Sequence, residues 1–251
     1  MARLTEICAQ LDEFLRIAAF EDQSQNGLQV SGRAKVRRIA GLVDASAEGF
    51  RAAIEAGVDM VIVHHGLLWS KPLWLTGPIF ERVKLLIDHG VSLYAAHLPL
   101  DAHREVGNNI QLLQRVGAEL DGWYAEWGGE AIGCLGSFKR PQPLADVIER
   151  LDRSLATETR VYDFGPEKIA RVGIVSGAAC DALAATAAAG VDLFITGEPR
   201  LSAYHEAQEL EINIAFAGHY ATERVGIEAL VRVLPAMCDV ETLFVDVPCD
   251  I

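Results

Sequence analysis

The chain has 251 residues, 51% of them hydrophobic and 23% charged, enough to bury a sizeable core in one large or two small domains. Its formal net charge of −13 argues against a nucleic-acid surface, which needs clustered Lys and Arg to neutralise phosphates. Five scattered cysteines with no CxxC pair indicate neither a disulfide framework nor a thiolate zinc site, and fit a reducing cytoplasm.

Apolar residues Leu4, Ile7, Leu11, Leu15 and Ile17 or Ala18 recur at helical spacing and predict a helix over 3–19. Glu6, Asp12 and Glu13 interrupt what would be a signal-peptide core, and no uncharged apolar run approaches membrane-spanning length. A soluble chain with no membrane partner is expected. "NGLQVSG" (26–32) turns into a strand, its Asn-Gly being foremost a turn dipeptide. Residues 37–43 read as a strand, 46–56 as a helix closed by Gly57, and 58–63 as a buried strand. A helix over 79–89 is closed by Gly90 and followed by the strand "VSLYAAH". Alternating strands and helices predict an α/β fold of mostly parallel βαβ units.

The second half repeats the first. "IAGLVDASAEGFRAAIEAGVDMVIVHHG" has a partner in "RVGIVSGAACDALAATAAAGVDLFITGEP", with Gly-Val-Asp at 57–59 and again at 190–192. One strand later "YAAHLPLD" (94–101) resembles "FAGHYATE" (216–223), so that His97-xxx-Asp101 and His219-xxx-Glu223 stand at equivalent places. An internal duplication into two related α/β lobes is therefore expected, over 1–125 and 130–251, joined by a linker "GWYAEWGGE" and with a metal site between them. "RPQPLADVIERL" reads as a loop followed by an amphipathic helix.

His64 and His65 sit side by side in "VIVHHGLLW", after an apolar strand and before Gly66. In parallel α/β sheets, functional groups gather beyond the carboxyl ends of the strands, and His97, Asp101, His219 and Glu223 also fall at strand ends. Imidazoles with carboxylates suit Zn, Fe, Mn or Ni rather than Ca or Mg alone. The set exceeds the needs of one four-coordinate ion. Two divalent transition-metal ions would use it all, and a bridging hydroxide is the usual nucleophile of such centres. His89 before a helix-ending Gly and His205 in "YHEAQELE" read as structural, since the latter ends in Glu209 where HExxH needs His. His103, close to Asp101, is a candidate proton carrier or a solvated loop residue. No GxxxxGK, GxGxxG or GxSxG occurs.

"NGLQV", "VIVHHGLLW", "AAHLPLDAH", "GNN", "RVGIVSGAA" and "AGHYATERVGIEAL" together resemble the NIF-three-like family, many members of which are called GTP cyclohydrolase I type two. The likeness runs over nearly the full chain. It implies two α/β lobes enclosing a dinuclear metal centre, and a ring-shaped homohexamer. Carried over by motif, the metal ligands are His64, His65, Asp101, His219 and Glu223, with Glu223 the bridge and His97 at a position near the metals. The long insertion between lobes that some members carry is absent.

These expectations converge on a dinuclear-metal hydrolase in which the hydroxide attacks an electrophilic carbon, such as C8 of a purine nucleotide, with His97 or His103 as the proton shuttle. The alternative is a non-enzymatic protein that stores or delivers metal through the same ligands. For a nucleotide's phosphates, the segments near the site offer Lys71, Arg104, Arg200 and Arg224.

Overall fold

The computed structural model of the protein describes residues 1–251. It begins with β1 (Ala2–Arg3), α1 (Leu4–Phe14), β2 (Gly27–Val30), β3 (Lys35–Val36), β4 (Arg38–Asp44) and α2 (Ala47–Glu55). Next come β5 (Met60–His65), α3 (Gly77–His89), β6 (Ser92–Ala95), α4 (Leu98–Asp101) and α5 (Asn108–Val116). A hairpin of β7 (Glu119–Trp127) and β8 (Glu130–Pro143) leads to α6 (Leu144–Leu155), β9 (Arg160–Asp163) and β10 (Lys168–Ile174). The chain ends with α7 (Leu183–Ala188), β11 (Leu193–Thr196), α8 (Leu201–Glu209), β12 (Asn213–Phe216), α9 (His219–Met237) and β13 (Glu241–Phe244). Internal contacts divide it into two compact units, Met1–Leu100 with Gly226–Val247, and Asp101–Val225 with Pro248–Ile251.

In the first unit a five-stranded sheet has the order β13-β4-β5-β6-β2, parallel throughout except for β2 at its edge. Alternate residues of its central strands, Ala40, Leu42, Val61, Val63, Leu93 and Ala95, share a core with Phe50 and Ala53 of α2 and Leu86 of α3. This is the two-fold periodicity of strands meeting the apolar stripe of helices. Ser46 caps α2 by accepting the Gly49 amide at 3.0 Å, and Gly90 closes α3 in the left-handed region at φ 64°. Gly41 is required by close approach, since a Cβ there would lie 2.5 Å from Val231 Cγ1 and 2.6 Å from Ile227 Cγ2 of α9.

The second unit holds a six-stranded sheet of order β7-β8-β10-β11-β12-β9. Only β10-β11-β12 are parallel; the other pairs are antiparallel. The fold is mixed α/β, mostly parallel in the first sheet and mixed in the second. Within each unit the run β4-β5-β6-β2 or β10-β11-β12-β9 has the same order and the same strand directions.

The recurrent Gly-Val-Asp has the same task in both. Asp59 Oδ2 accepts the amides of Arg37 (2.8 Å) and Arg38 (3.3 Å), and Asp192 Oδ2 accepts those of Ala170 (2.7 Å) and Arg171 (2.9 Å). Arg38 in turn donates to the Ala56 carbonyl and Arg171 to that of Ala189. Each Asp ties the start of one strand to the turn that precedes the next.

Four expectations need correction. "GWYAEWGGE" is not a linker, because Gly128 and Gly129, at φ 59° and 85°, turn β7 back on β8 as a hairpin. "RPQP" belongs to β8, paired with β10 through Gln142 and Pro143, rather than to a loop. The division at 125/130 moves to Leu100/Asp101, since Ile110, Leu112, Leu113 and Val116 of α5 are part of the second unit's core. The first helix also stops at Phe14, where Arg16 takes a left-handed φ of 54° before a short 3₁₀ turn over Ile17–Ala19.

Candidate metal centre

In the first unit β4, β5 and β6 run parallel, so their carboxyl ends lie along one edge of the sheet. His64 and His65 are the last two residues of β5, and His97 follows β6 by two residues. Although neighbours in a strand alternate faces, the rings of His64 and His65 come together at its end, with centroids 4.7 Å apart. His97 stands 5.1 Å from His64 and 5.8 Å from His65. One ring nitrogen from each of the three lies within 4.8 Å of the others.

The hydrogen bonds select which nitrogen that is. His64 is fully buried, and its Nδ1 lies 2.9 Å from the carbonyl oxygen of Ala96. A carbonyl only accepts, so Nδ1 carries the proton and Nε2 the lone pair. His65 Nδ1 meets Asp44 Oδ1 at 2.8 Å, and His97 Nδ1 meets the Asp22 carboxylate at 2.9 and 3.1 Å. Asp22 also accepts the amides of Ser24 and Leu98 and the Asn26 side chain. Burial acts to raise its carboxyl pKa, but the His97 bond and charge and the Asn26 and Ser24 donors outweigh that and bring it down to about 2.

The "NGLQ" segment, a bare turn signal in the sequence, is the scaffold of this cluster. Asn26 Oδ1 accepts the His97 amide at 2.8 Å. Gln29 Oε1 accepts the amides of Leu67 (2.7 Å) and Leu68 (3.1 Å), and Gln29 Nε2 donates to the carbonyls of Gln25 and Leu68. The loop after His65 is thereby held in place, and with it Trp69, whose indole lies edge-on to His97 at 5.2 Å.

The second unit gathers the remaining candidates. Asp101 and Glu223 are buried and bring carboxylate oxygens within 4.8 Å of each other. Asp101 Oδ1 accepts from Asn108 Nδ2 (2.7 Å) and Ser176 Oγ (3.1 Å). His219 Nε2 lies 3.0 Å from Glu223 Oε2, one helical turn away on α9, and its Nδ1 bonds Glu198 Oε1. Gly177, beside Ser176, leaves the space that the Glu223 carboxylate fills, since a Cβ there would overlap Oε1.

Each of the five expected ligands thus sits in a His or acid cluster of its own unit, and His97 joins the first. His103 Nδ1 accepts the amides of Glu105 and Val106, both at 3.2 Å. His89 and His205 are exposed on helices, in keeping with structural roles. Among the candidate cations, Arg104 lies 3.7 Å above the Trp123 ring and Arg200 is paired with Asp181. The orienting acids Asp22, Asp44 and Glu198 were not foreseen. Asp44 ends β4 and Glu198 follows β11, so the rule that strand ends carry function would have found these two. Asp22 lies in irregular chain with no periodic signal.

Imidazoles and carboxylates so clustered could hold a metal ion. Known proteins share the whole chain. A relative from Archaeoglobus fulgidus, named GTP cyclohydrolase 1 type 2 homolog, is 43% identical over 245 residues, covering 98% of each chain. One of the same name from Deinococcus radiodurans is 43% identical over 225 residues, covering 90% of this chain and 86% of its own. The crystal structure of TTHA1606 from Thermus thermophilus matches with a TM-score of 0.92 and 39% identity over 100% of both chains. A family model described as Duf34/NIF3 (NGG1p interacting factor 3) matches residues 2–250, and the chain belongs to that family.

Proposed function

We propose that the protein is a dinuclear-metal hydrolase acting on a nucleotide or related purine-type heterocycle. One observation carries the metal reading: Nδ1 of His64, His65, His97 and His219 each meets a carbonyl or carboxylate oxygen, which fixes the ring and commits Nε2 to ligation or proton transfer. In this reading His64, His65, Asp101, His219 and Glu223 would hold two divalent transition-metal ions, Zn, Fe, Mn or Ni.

Bound ions would supply water made nucleophilic at neutral pH. His97, held at Nδ1 by Asp22, takes and returns the proton at Nε2, and His103 Nε2 is the other candidate for that step. Asn108 and Ser176 both donate to Asp101 Oδ1 and so fix the carboxylate's orientation. The name shared by the relatives supports a purine nucleotide as substrate class.

A second reading, metal storage or delivery without catalysis, is favoured by the scarcity of cations for phosphates, Arg200 being already paired with Asp181. We propose further a homohexamer in the cytoplasm. Five unpaired cysteines fit that location, and no helix is long and apolar enough to cross a membrane.

The test begins with elemental analysis of protein purified without chelator or nickel resin. About two transition-metal ions per chain are expected, fewer in His65→Ala or Glu223→Ala. A panel of nucleotides and heterocyclic amides should then reveal metal-dependent hydrolysis that is lost in Asp101→Ala, while His97→Ala keeps the metals and loses rate. Absence of turnover together with rapid metal transfer to an apo-acceptor would establish the carrier instead. Light scattering decides the hexamer.

A further inference from the structure

We infer that Trp69 is the stacking surface for a planar aromatic ring of the substrate, and that the cavity it lines receives the rest of that molecule. This rests on the His cluster of the first unit being the reacting centre. Three observations lead here.

The indole is next to the chemistry. It stands edge-on to His97 at 5.2 Å, interplanar angle 70°, and 6.4 Å from the ring of His65. It is also rigid. Its Nε1–H donates to the Gly66 carbonyl at 2.9 Å, its backbone bridges to Ser24, and its carbonyl accepts from Gln25 Nε2 at 3.2 Å. An aromatic face fixed in advance gives up little conformational entropy when a ligand ring is laid on it.

Trp69 is only partly buried, and it lines a cavity of about 390 Å³ together with Gln25, Leu68, Lys71, Pro72 and Leu75. That volume lies at the small end of the range for small-molecule pockets. The lining combines apolar surface with amide and ammonium groups, which suits an aromatic ring carrying an anionic substituent. A tryptophan whose only task was to fill core would have no reason to border both a cavity and two imidazoles. Ring stacking on an indole is tolerant of substituents, so Trp69 selects for a flat heterocycle, and Lys71 for its charge.

The experiment measures binding by calorimetry with metal-loaded protein, using guanosine 5′-monophosphate and ribose 5-phosphate as probes. Metal content and thermal unfolding are matched between wild type and variants. The nucleotide should bind at least about tenfold more tightly than the ringless phosphate. Trp69→Leu should cost the nucleotide about tenfold in affinity and leave ribose 5-phosphate unchanged, while Trp69→Phe recovers most of the loss. Lys71→Gln should weaken both probes alike.

Equal nucleotide affinity in wild type and Trp69→Leu would overturn the inference, as would equal weakening of both probes in that variant or failure of the wild type to bind the nucleotide. Hydrolysis is followed on the same samples. Turnover that is indifferent to Trp69→Leu defeats the stacking role and spares the hydrolase reading; Trp69-dependent binding without turnover does the reverse.

Discussion

His65 Nδ1 lies 2.8 Å from Asp44 Oδ1, and these two residues are register partners at the ends of the adjacent parallel strands β5 and β4. The strand pairing therefore aims the imidazole: one register position supplies the ring and its neighbour the carboxylate that holds it. Asp44→Asn keeps the shape and removes the charge. Metal affinity should fall roughly 10- to 100-fold, as for other carboxylates that orient a ligating histidine. The pair is partly exposed, with Asp44 at 46%, so fold stability should change by no more than about 1 kcal/mol. Competition with a chelator gives the first quantity and thermal unfolding of metal-free protein the second. Unchanged affinity would leave His65 oriented by packing alone.

Asp22 contributes in a pH-dependent way. Its carboxyl is lowered from 3.8 to about 2 in the folded chain, so the unfolded chain binds the proton more readily. The stabilisation is fully present above the unfolded value, near pH 4, and is lost as pH falls through about 2. Asp22→Asn should lower stability at pH 7 and flatten the decline between pH 4 and 2. Urea unfolding at several acidic pH values checks this; a decline equally steep in the variant would assign the acid sensitivity to other carboxylates.

The βαβ runs, the recurrent Gly-Val-Asp and the gathering of His and acid side chains after strand ends were legible because each rests on a strong local pattern. Gly-Val-Asp recurs with an invariant hydrogen-bond task through Asp59 and Asp192, and strand ends concentrate polar residues after apolar runs. The hairpin of β7 and β8 escaped because its exposed face and Gly-Gly turn look like linker composition. The unit boundary escaped because α5 joins a core assembled from strands far along the chain, such as Ile169, Val172 and Leu193. Gln29 and Asp22 were invisible for a related reason. Their long-range partners, Leu67 and Leu68 for Gln29 and His97 and Leu98 for Asp22, lie 38 to 76 residues away, and nothing in the sequence around them marks such a bond.

Gly177 lies at a left-handed φ of 65°, and a Cβ there would collide with Glu223 Oε1 and lie 3.2 Å from His219 Nε2. Gly177→Ala should cost about 1 to 2 kcal/mol for the backbone conformation alone. The larger consequence falls on the carboxylate, which is buried and must shift. Metal content should drop toward that of Glu223→Ala while the chain remains folded. Metal content equal to wild type in the purified variant would mean that Glu223 can relocate without loss of ligation.

Gln29 is the last test, because it separates the scaffold from the chemistry. Its side chain makes four bonds to the backbone of residues 25, 67 and 68, and Gly66 lacks a side chain where a Cβ would overlap the Gln29 amide. Gln29→Leu fills similar volume but leaves the amides of Leu67 and Leu68 without their acceptor, a loss of roughly 1 to 3 kcal/mol. Gln29→Glu keeps the acceptor and removes the donor, so it should fall between wild type and Gln29→Leu. Hydrogen exchange at Leu67 and Leu68 should accelerate in Gln29→Leu, whereas metal content should stay near wild type because His64 and His65 are held by Ala96 and Asp44. If exchange at those amides is unchanged, the loop is held by Trp69 and its bonds to Gly66 and Gln25, and Gln29 is a passenger.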